Sequence, residues 1–155
     1  MNIKNKTVII GIGGAGINMM QYLQSNAKLN CVSAYHNDLL HQAISDNYTV
    51  VLIAGLGGSY GSEHIVKIAT QAVEQKKEVY AVVTMPAVME GKLRTETAQA
   101  ALKKLHAIVA IKNIKIIEIG KFIKVNNLSF AEAQDFTYAG MFLKVNEKVL
   151  EYIIS

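Results

Sequence analysis

The sequence predicts an α/β fold, a three-layer sandwich in which a mainly parallel sheet carries helices on both faces. Two observations lead to this prediction. Short apolar runs rich in Val and Ile alternate with amphipathic segments of helix length, which is typical of β-α-β units. Two glycine-rich loops each stand between an apolar run and a helical segment, as in Rossmann-like domains. The length of 155 residues suits one domain, so we expect residues 1–155 to form a single unit.

Five strands are predicted, and a further segment is left open. The first apolar run is continuous and therefore suits a buried strand, the second alternates and suits an edge, and the third is the most apolar and suits the centre. The five runs are Thr7–Gly11, Cys31–His36, Thr49–Ala54, Val79–Thr84 and His106–Ile111. Residues 114–119 form either a sixth strand or a short helix, and local propensity favours the strand.

Helices are predicted where apolar residues recur at helical spacing between these runs. Ile17, Met20 and Leu23 share one face of the first helix, and Ile65 and Ile68 share one face of the third. The predicted helices are Gly14–Asn26, Asp38–Ile44, Ser62–Gln75, Gly91–Leu105 and Ser129–Ile153. Strand and helix therefore alternate along the chain, which is the connectivity that parallel strands require.

The two glycine loops are the most informative feature of the sequence. Residues 11–16 read Gly-Ile-Gly-Gly-Ala-Gly, and residues 55–61 contain four glycines in seven positions. Glycine lets the backbone turn sharply and approach a phosphate, and the helix start that follows offers free N–H groups to an anion. A dinucleotide fold needs one such loop, so two loops at one sheet edge predict a polyphosphate held from both sides. Two compact turns without a ligand are the alternative.

Polar residues follow three other predicted strands. Asn37 and Asp38 follow the second, Glu90 and Arg94 the fourth, and Asn113 the fifth. Because parallel sheets bind ligands at the carboxyl ends of their strands, these side chains are candidates to hydrogen-bond a sugar. Taken singly they have simpler explanations, since Asn37 and Asp38 suit a helix cap and Glu90 and Arg94 are one helical turn apart.

The composition excludes several classes of protein. With 51% hydrophobic residues, 18% charged residues and one proline, the chain is not disordered, collagen-like or a coiled coil. The net charge of +4 is spread along the chain without a basic run, which gives slight support to an anionic ligand and none to nucleic acid. Cys31 is the only cysteine, so we expect a cytoplasmic protein without an internal disulfide. No apolar stretch is long enough to span a membrane.

No catalytic or metal-binding residues are predicted. The sequence lacks a Gly-Lys-Ser/Thr motif, paired carboxylates beside the glycine loops and a convincing Ser/His/Asp set. The four histidines do not have the spacing of metal ligands with Cys31.

Several segments together resemble the nucleotide-binding half of the tubulin/FtsZ superfamily, and the FtsZ family in particular. VIIGIGGAGINMM is similar to the first phosphate loop and its helix, and IAGLGGSYGSE to the signature loop. AYHND is similar to the strand that ends in Asn-Thr-Asp, AVVTMPAVMEGKLR to a segment with Phe-Glu-Gly and Arg, and LHAIVAIKN to the strand that ends in Ile-Pro-Asn. NNLSFAEAQDF resembles the approach to the central helix, which would occupy residues 129–153.

The resemblance implies a domain of the cell-division type that binds GTP or GDP, with Mg²⁺ as a further candidate, and acts as a binding or assembly module. The first loop would contact the diphosphate, the second would wrap the phosphates from the other side, and Glu90, Arg94 and Asn113 would hold the ribose. The candidate binding residues are Gly11, Gly13, Gly14, Ala15, Gly16, Asn37, Gly57, Gly58, Ser59, Tyr60, Gly61, Glu90, Arg94, Asn113, Asp135 and Tyr138.

The chain also departs from the family pattern. Ser59 and Tyr60 stand where the family has Gly-Thr, so a bulky ring enters the phosphate loop, and the stretch before the third strand is shorter than the family's phosphate-sensing loop. Tyr138 and Ala139, with Asp135 nearby, lie where the family presents Asn or Asp to guanine. The family's second domain, whose acidic loop completes hydrolysis in a neighbouring subunit, has no counterpart here. We therefore expect at most a GTPase that needs a partner to complete its site.

The last predicted helix is apolar on more than one side. Its apolar residues are Phe130, Phe136, Met141, Phe142, Leu143, Val145, Val149, Leu150, Ile153 and Ile154. An exposed apolar stripe usually marks a partner surface, so self-association or a protein partner through this helix is expected. The alternative is that loops and helix ends of the same chain cover it.

Two other functions stay open. An NAD(P)-binding Rossmann domain fits Gly11, Gly13 and Gly16, but Asp38 comes late for a ribose-binding acid and the second glycine loop would have no role. A nucleotide-free scaffold that keeps the fold and binds a protein partner fits the bulky Tyr60 and the short stretch before the third strand.

Overall fold

The structure, a computed structural model, describes residues 6–122 and 138–155. Its five strands are β1 (Thr7–Ile12), β2 (Cys31–Ser33), β3 (Thr49–Gly55), β4 (Glu78–Met85) and β5 (Ile114–Glu118). They form one sheet in the order β2-β1-β3-β4-β5, and every neighbouring pair is parallel. The helices are α1 (Gly13–Asn26), α2 (Asn37–Asp46), α3 (Ser59–Glu74), α4 (Lys92–His106) and α5 (Tyr138–Ile154). The predicted α/β sandwich with a parallel sheet is confirmed.

Helices cover both faces of the sheet because the central strands are apolar on both sides. Every residue of β1 is buried, as are the first six of β3. On one face, Ile10 and Leu52 contribute to a core with α2, α3 and α4. On the other face, Ile9 and Ile53 contribute to a core with α1 and α5. The order of the strands reverses between β1 and β3, and in open parallel sheets a crevice forms outside the carboxyl ends at that point.

The last helix buries one stripe of its apolar residues against the sheet. Met141, Val145, Val149 and Ile153 recur every four residues and are at most 3% exposed. Phe142, Leu143 and Ile154 of the same helix remain exposed. The expected apolar surface is therefore partly covered by the chain itself. The predicted helix start at Ser129, and with it Phe130 and Phe136, lies outside the described residues.

The prediction of a fifth strand at His106–Ile111 is wrong. Helix α4 extends through His106, a turn follows, and residues 111–113 form a 3₁₀ turn. The buried residues Ala98, Ala101 and Leu105 continue a helical stripe, and their burial outweighs the strand propensity of the residues that follow. The segment left open at 114–119 instead provides β5, which pairs with β4 from Ile114 onwards.

Two further boundaries differ from the prediction by three residues, whereas the other described boundaries of correctly predicted elements differ by less. Strand β2 ends at Ser33, because it is a short edge strand with only β1 beside it. Helix α3 begins at Ser59 rather than Ser62, so the second glycine loop runs directly into the first turn of that helix. No helix among the described residues has the length and apolar character needed to cross a membrane.

Candidate functional site

A cleft of about 340 Å³ lies at the carboxyl edge of the sheet, over the point where the strand order reverses. Both glycine loops line it, together with the segment that follows β4. Nine of the predicted binding residues are among its lining: Gly13, Gly14, Ala15, Gly58, Ser59, Tyr60, Gly61, Glu90 and Arg94. The structure therefore brings residues from three separate loops to one cleft.

The two glycine turns pack directly against each other. A Cβ atom on Gly13 would lie 3.3 Å from the Cα of Gly61, and a Cβ on Gly61 would lie 2.8 Å from the carbonyl oxygen of Gly55. Gly13 also has a φ of +73°, which L side chains rarely adopt. A side chain at Gly13 would press on the second turn, and a side chain at Gly61 would clash with the backbone of its own loop, so both positions need glycine for the geometry of the cleft.

Two helices begin at the cleft without a side-chain cap. Helix α1 starts at Gly13 after Ile12, and α3 starts at Ser59 after Gly58. Ile12 and Gly58 make no capping hydrogen bond, since neither side chain has an acceptor. The first N–H groups of a helix lack partners within the helix and carry the positive end of its dipole. Both ends face the same cleft, which is an arrangement that can bind an anion from two sides.

The second loop is held in place by a buried hydroxyl. The backbone N–H of Gly57 donates a hydrogen bond of 2.9 Å to Oγ of Ser62, which is 6% exposed. Gly57 has a φ of +108°, and a Cβ there would lie 3.3 Å from Cγ of Pro86. Ser62 therefore fixes a loop whose conformation requires glycine.

Replacing Ser62 with Ala is expected to destabilise the protein by about 2 kcal/mol, because the buried N–H of Gly57 loses its acceptor. For a chain of this size the melting temperature should fall by about 4–8 °C in a calorimetric scan. Ser25→Ala is the matched control, since the Ser25 hydroxyl bonds an exposed carbonyl of its own helix. A shift no larger than that of the control would show that Ser62 does not hold the loop.

Glu90 and Arg94 form the wall of the cleft that follows β4. The N–H of Ala87 donates to Oε2 of Glu90 at 2.6 Å, and Nε of Arg94 lies 3.5 Å from Oε1 of the same carboxylate. An ion pair this exposed contributes little to stability. Among the described residues that line the cleft, Arg94 is the only cation. Arg94, which pairs with Glu90, is therefore the one described side chain of the cleft that could also pair with an anionic ligand.

A second pocket, of about 380 Å³, lies between α1 and α5. It shares Ala15, Thr84 and Phe142 with the cleft, so the two spaces adjoin. Asn18 and Asn146 contribute amide groups that have no hydrogen-bond partner within the described part of the chain. Each amide offers both donors and an acceptor. The cleft and this pocket together suit a ligand that has an anionic part and a flat polar part.

Several residues of this pocket were missed by sequence reasoning. The sequence did not predict Asn18, Asn146, Thr84 or Phe142 as site residues. No local signal identifies Asn146, because it reaches the site only through the packing of α5 beside α1.

The other predicted site residues lie elsewhere. Asn113 precedes β5, and its Nδ2 donates to the carbonyl of Val79 at the start of β4, so the prediction that it follows the fifth strand is wrong. Asn37 is exposed at the start of α2 and does not line the cleft. Gly11, Gly16 and Gly57 are buried behind the lining residues. Asp135 lies outside the described residues, and so does the side chain of Tyr138.

Two observations on ionisable groups concern the described residues outside the cleft. Burial raises the pKa of Cys31 to about 11, which keeps its thiol protonated and unreactive at neutral pH. Within residues 6–122 and 138–155, no group of three or more His, Cys, Asp and Glu side chains could hold a metal ion.

Comparisons with known proteins agree with this architecture. The chain is 37% identical over 81 residues to cell division protein FtsZ 1 of Methanocaldococcus jannaschii, which covers 50% of this chain and 22% of the relative. It is 27% identical to FtsZ 1 of Pyrococcus abyssi, with 76% of this chain and 44% of the relative covered. The chain thus spans less than half of these curated relatives. No protein-family model matches it.

The solved structures give the same result for the fold. A variant of FtsZ from M. jannaschii superposes with a TM-score of 0.80 at 20% identity, covering 97% of this chain and 55% of that one. CetZ1 from Haloferax volcanii, solved as a GDP-bound monomer, has a TM-score of 0.68 at 16% identity and covers 94% of this chain and 58% of that one. The chain is therefore tubulin/FtsZ-like, and it corresponds to about half of an FtsZ chain.

Proposed function

We propose that the chain binds a guanine nucleotide, GTP or GDP, and acts as an FtsZ-like binding or assembly module. The observation that carries this proposal is the meeting of two uncapped helix starts, at Gly13 and Ser59, in one cleft that adjoins a pocket lined by the amides of Asn18 and Asn146. On this proposal, residues 1–155 form one nucleotide-binding domain.

The cleft would hold the phosphates. Backbone N–H groups at the starts of α1 and α3 would donate to phosphate oxygens, and Arg94 would supply the single positive side chain. Glu90 faces the same space and would hydrogen-bond a ribose hydroxyl.

The adjoining pocket would hold the base. Met19, Phe142 and Val145 provide an apolar surface suited to a flat ring, and Asn18 and Asn146 provide the polar groups that give such pockets their specificity. An amide can accept from the ring N–H of guanine and donate to its carbonyl oxygen. This is why we favour guanine as the base.

Hydrolysis by this chain alone is not part of the proposal. Of the described residues that line the cleft, Glu90 is the only carboxylate, and the proposal already assigns it to the ribose. Phosphoryl transfer requires a positioned water and compensation of the developing charge, which this set does not supply. A partner that adds an acidic group at the mouth of the cleft would be needed, and any Mg²⁺ would be held mainly by the phosphates.

Assembly is the proposed role of the domain. Solved relatives include one described as an FtsZ dimer and one as a filament. Leu143 and Ile154 of α5 remain exposed and offer apolar contact area for a second copy or another protein.

Addition of GDP is expected to raise the melting temperature of the purified chain. At a GDP concentration ten times the dissociation constant, binding to the folded state adds about 1.4 kcal/mol of stability. For a chain of this size, the midpoint should rise by about 3–6 °C in a thermal shift assay. NADH and ATP at the same concentration are the controls. No shift with GDP or GTP would contradict the proposal, a shift with NADH alone would favour the NAD(P) hypothesis, and no shift with any nucleotide would favour the nucleotide-free scaffold.

A further inference from the structure

The phosphate cleft crosses the sheet edge from one face to the other. At one end, Phe142 of α5 borders the pocket between α1 and α5, which Asn18 and Asn146 line. At the other end, Tyr60 of α3 packs against the core on the opposite face of the sheet. If the base occupies the pocket between α1 and α5, as proposed above, the phosphate chain runs through the cleft from Phe142 towards Tyr60.

The ring of Tyr60 is held in place by two other aromatic side chains. It stacks on the imidazole of His64, with centroids 3.8 Å apart and planes inclined by 9°, and it contacts Tyr35 at 4.8 Å between centroids. Nδ1 of His64 donates a hydrogen bond of 2.9 Å to the carbonyl oxygen of Tyr60, which fixes the imidazole beneath the ring. We call Tyr35, Tyr60 and His64 the aromatic wall. Moving Tyr60 aside would break both ring contacts.

The aromatic wall stands beside the first phosphate loop. Cδ1 of Tyr60 lies 3.8 Å from the position of a Cβ on Gly13, the first residue of α1. The faces of aromatic rings carry partial negative charge, so they do not attract a phosphate. The one cation among the described lining residues, Arg94, lies with Glu90 on the wall that follows β4. A third phosphate that extends towards Tyr60 would therefore meet a ring and no compensating charge.

We infer that this site selects a nucleoside diphosphate over the corresponding triphosphate, and that the ring of Tyr60 is the residue that determines this specificity. The inference rests on the proposed nucleotide-binding function. On this inference the backbone donors of α1 and α3 would hold two phosphates, and the ring of Tyr60 would occupy the space in which a third would lie.

The test is a calorimetric titration of the full 155-residue chain with GDP and with the β,γ-methylene analogue of GTP. The wild type should bind GDP at least about tenfold more tightly, a difference of about 1.4 kcal/mol. Tyr60→Ala should bring the two dissociation constants within about threefold of each other by strengthening triphosphate binding. Tyr60→Phe keeps the ring and should keep the preference. Tyr48→Ala removes an exposed tyrosine that does not line the cleft and is the matched control.

The outcomes distinguish a failure of the diphosphate inference from a failure of the proposed nucleotide binding. Equal or tighter binding of the triphosphate by the wild type would overturn the diphosphate inference and leave the proposed function intact, whether or not the variants fold. A preference for GDP that persists in Tyr60→Ala would overturn the assignment to the Tyr60 ring. Failure of the wild type to bind either nucleotide would remove the proposed function and this inference with it. Circular dichroism of each variant reports whether it has kept the fold.

Discussion

Replacing Gly16 with Ala is expected to destabilise the protein by at least about 3 kcal/mol, the upper part of the range for overpacked sites. The added Cβ would lie 2.3 Å from the carbonyl oxygen of Ile53 and 3.3 Å from the Cα of Ala54. Both are backbone atoms of β3, the central strand, and they cannot turn away as a flexible side chain could. Helix α1 would have to separate from the sheet, and the melting temperature should fall by about 6–12 °C.

Gly14→Ala is the matched control for this prediction. A Cβ at Gly14 would meet no atom within 4 Å apart from its chain neighbours and the backbone of its own helix, and the residue is exposed in the first turn of that helix. Its stability should stay unchanged or rise by up to about 1 kcal/mol, because alanine restricts the unfolded chain more than glycine does. If both variants melted at the wild-type temperature, the close contact between α1 and β3 would not exist in solution.

The first glycine loop shows how far sequence reasoning reached. Its position between a buried strand and a helix predicted that residues 11–16 would meet the second loop at one sheet edge, and the structure places Gly13 against Gly61. The roles within the loop could not be predicted. Gly14 faces the cleft, whereas Gly16 lies against β3. Residues two positions apart in a helix lie on nearly opposite sides of it, so these two glycines of one motif have different neighbours.

The end of the sheet was harder to predict. Asn113 was placed at the carboxyl edge because the run at residues 106–111 reads locally as a strand. The structure continues the helix instead, since Leu105 completes its buried stripe, and Asn113 then falls at the opposite end of the sheet. Local propensity cannot distinguish the two outcomes, because the difference depends on packing against residues distant in sequence.

The pocket between α1 and α5 depends on packing alone. Asn18 and Asn146 are separated by most of the chain and meet only because the apolar stripe of α5 lies on the same face of the sheet as α1. A stripe repeating every four residues predicts a buried helix face but does not say which helix lies beside it.

Replacing Gly14 with Leu is expected to weaken GDP binding by at least about 30-fold, which corresponds to about 2 kcal/mol. Gly14 lines the cleft that is proposed to hold the phosphates, and the space around its Cβ position is open, so the leucine side chain would occupy that space. The fold should tolerate the change, because the position is exposed and leucine is a good helix former. Calorimetric titration with GDP measures the loss, and circular dichroism confirms the helix content.

The matched control is Gln21→Leu, which adds the same side chain at an exposed position of α1 that lines neither the cleft nor the adjoining pocket. Its affinity for GDP should equal that of the wild type. A Gly14→Leu variant that bound GDP normally would place the nucleotide somewhere other than between the two glycine loops. If both variants lost the same affinity for GDP, the cause would be the added hydrophobic surface on α1. Only the leucine at position 14 would block the cleft, so steric exclusion predicts a loss in that variant alone.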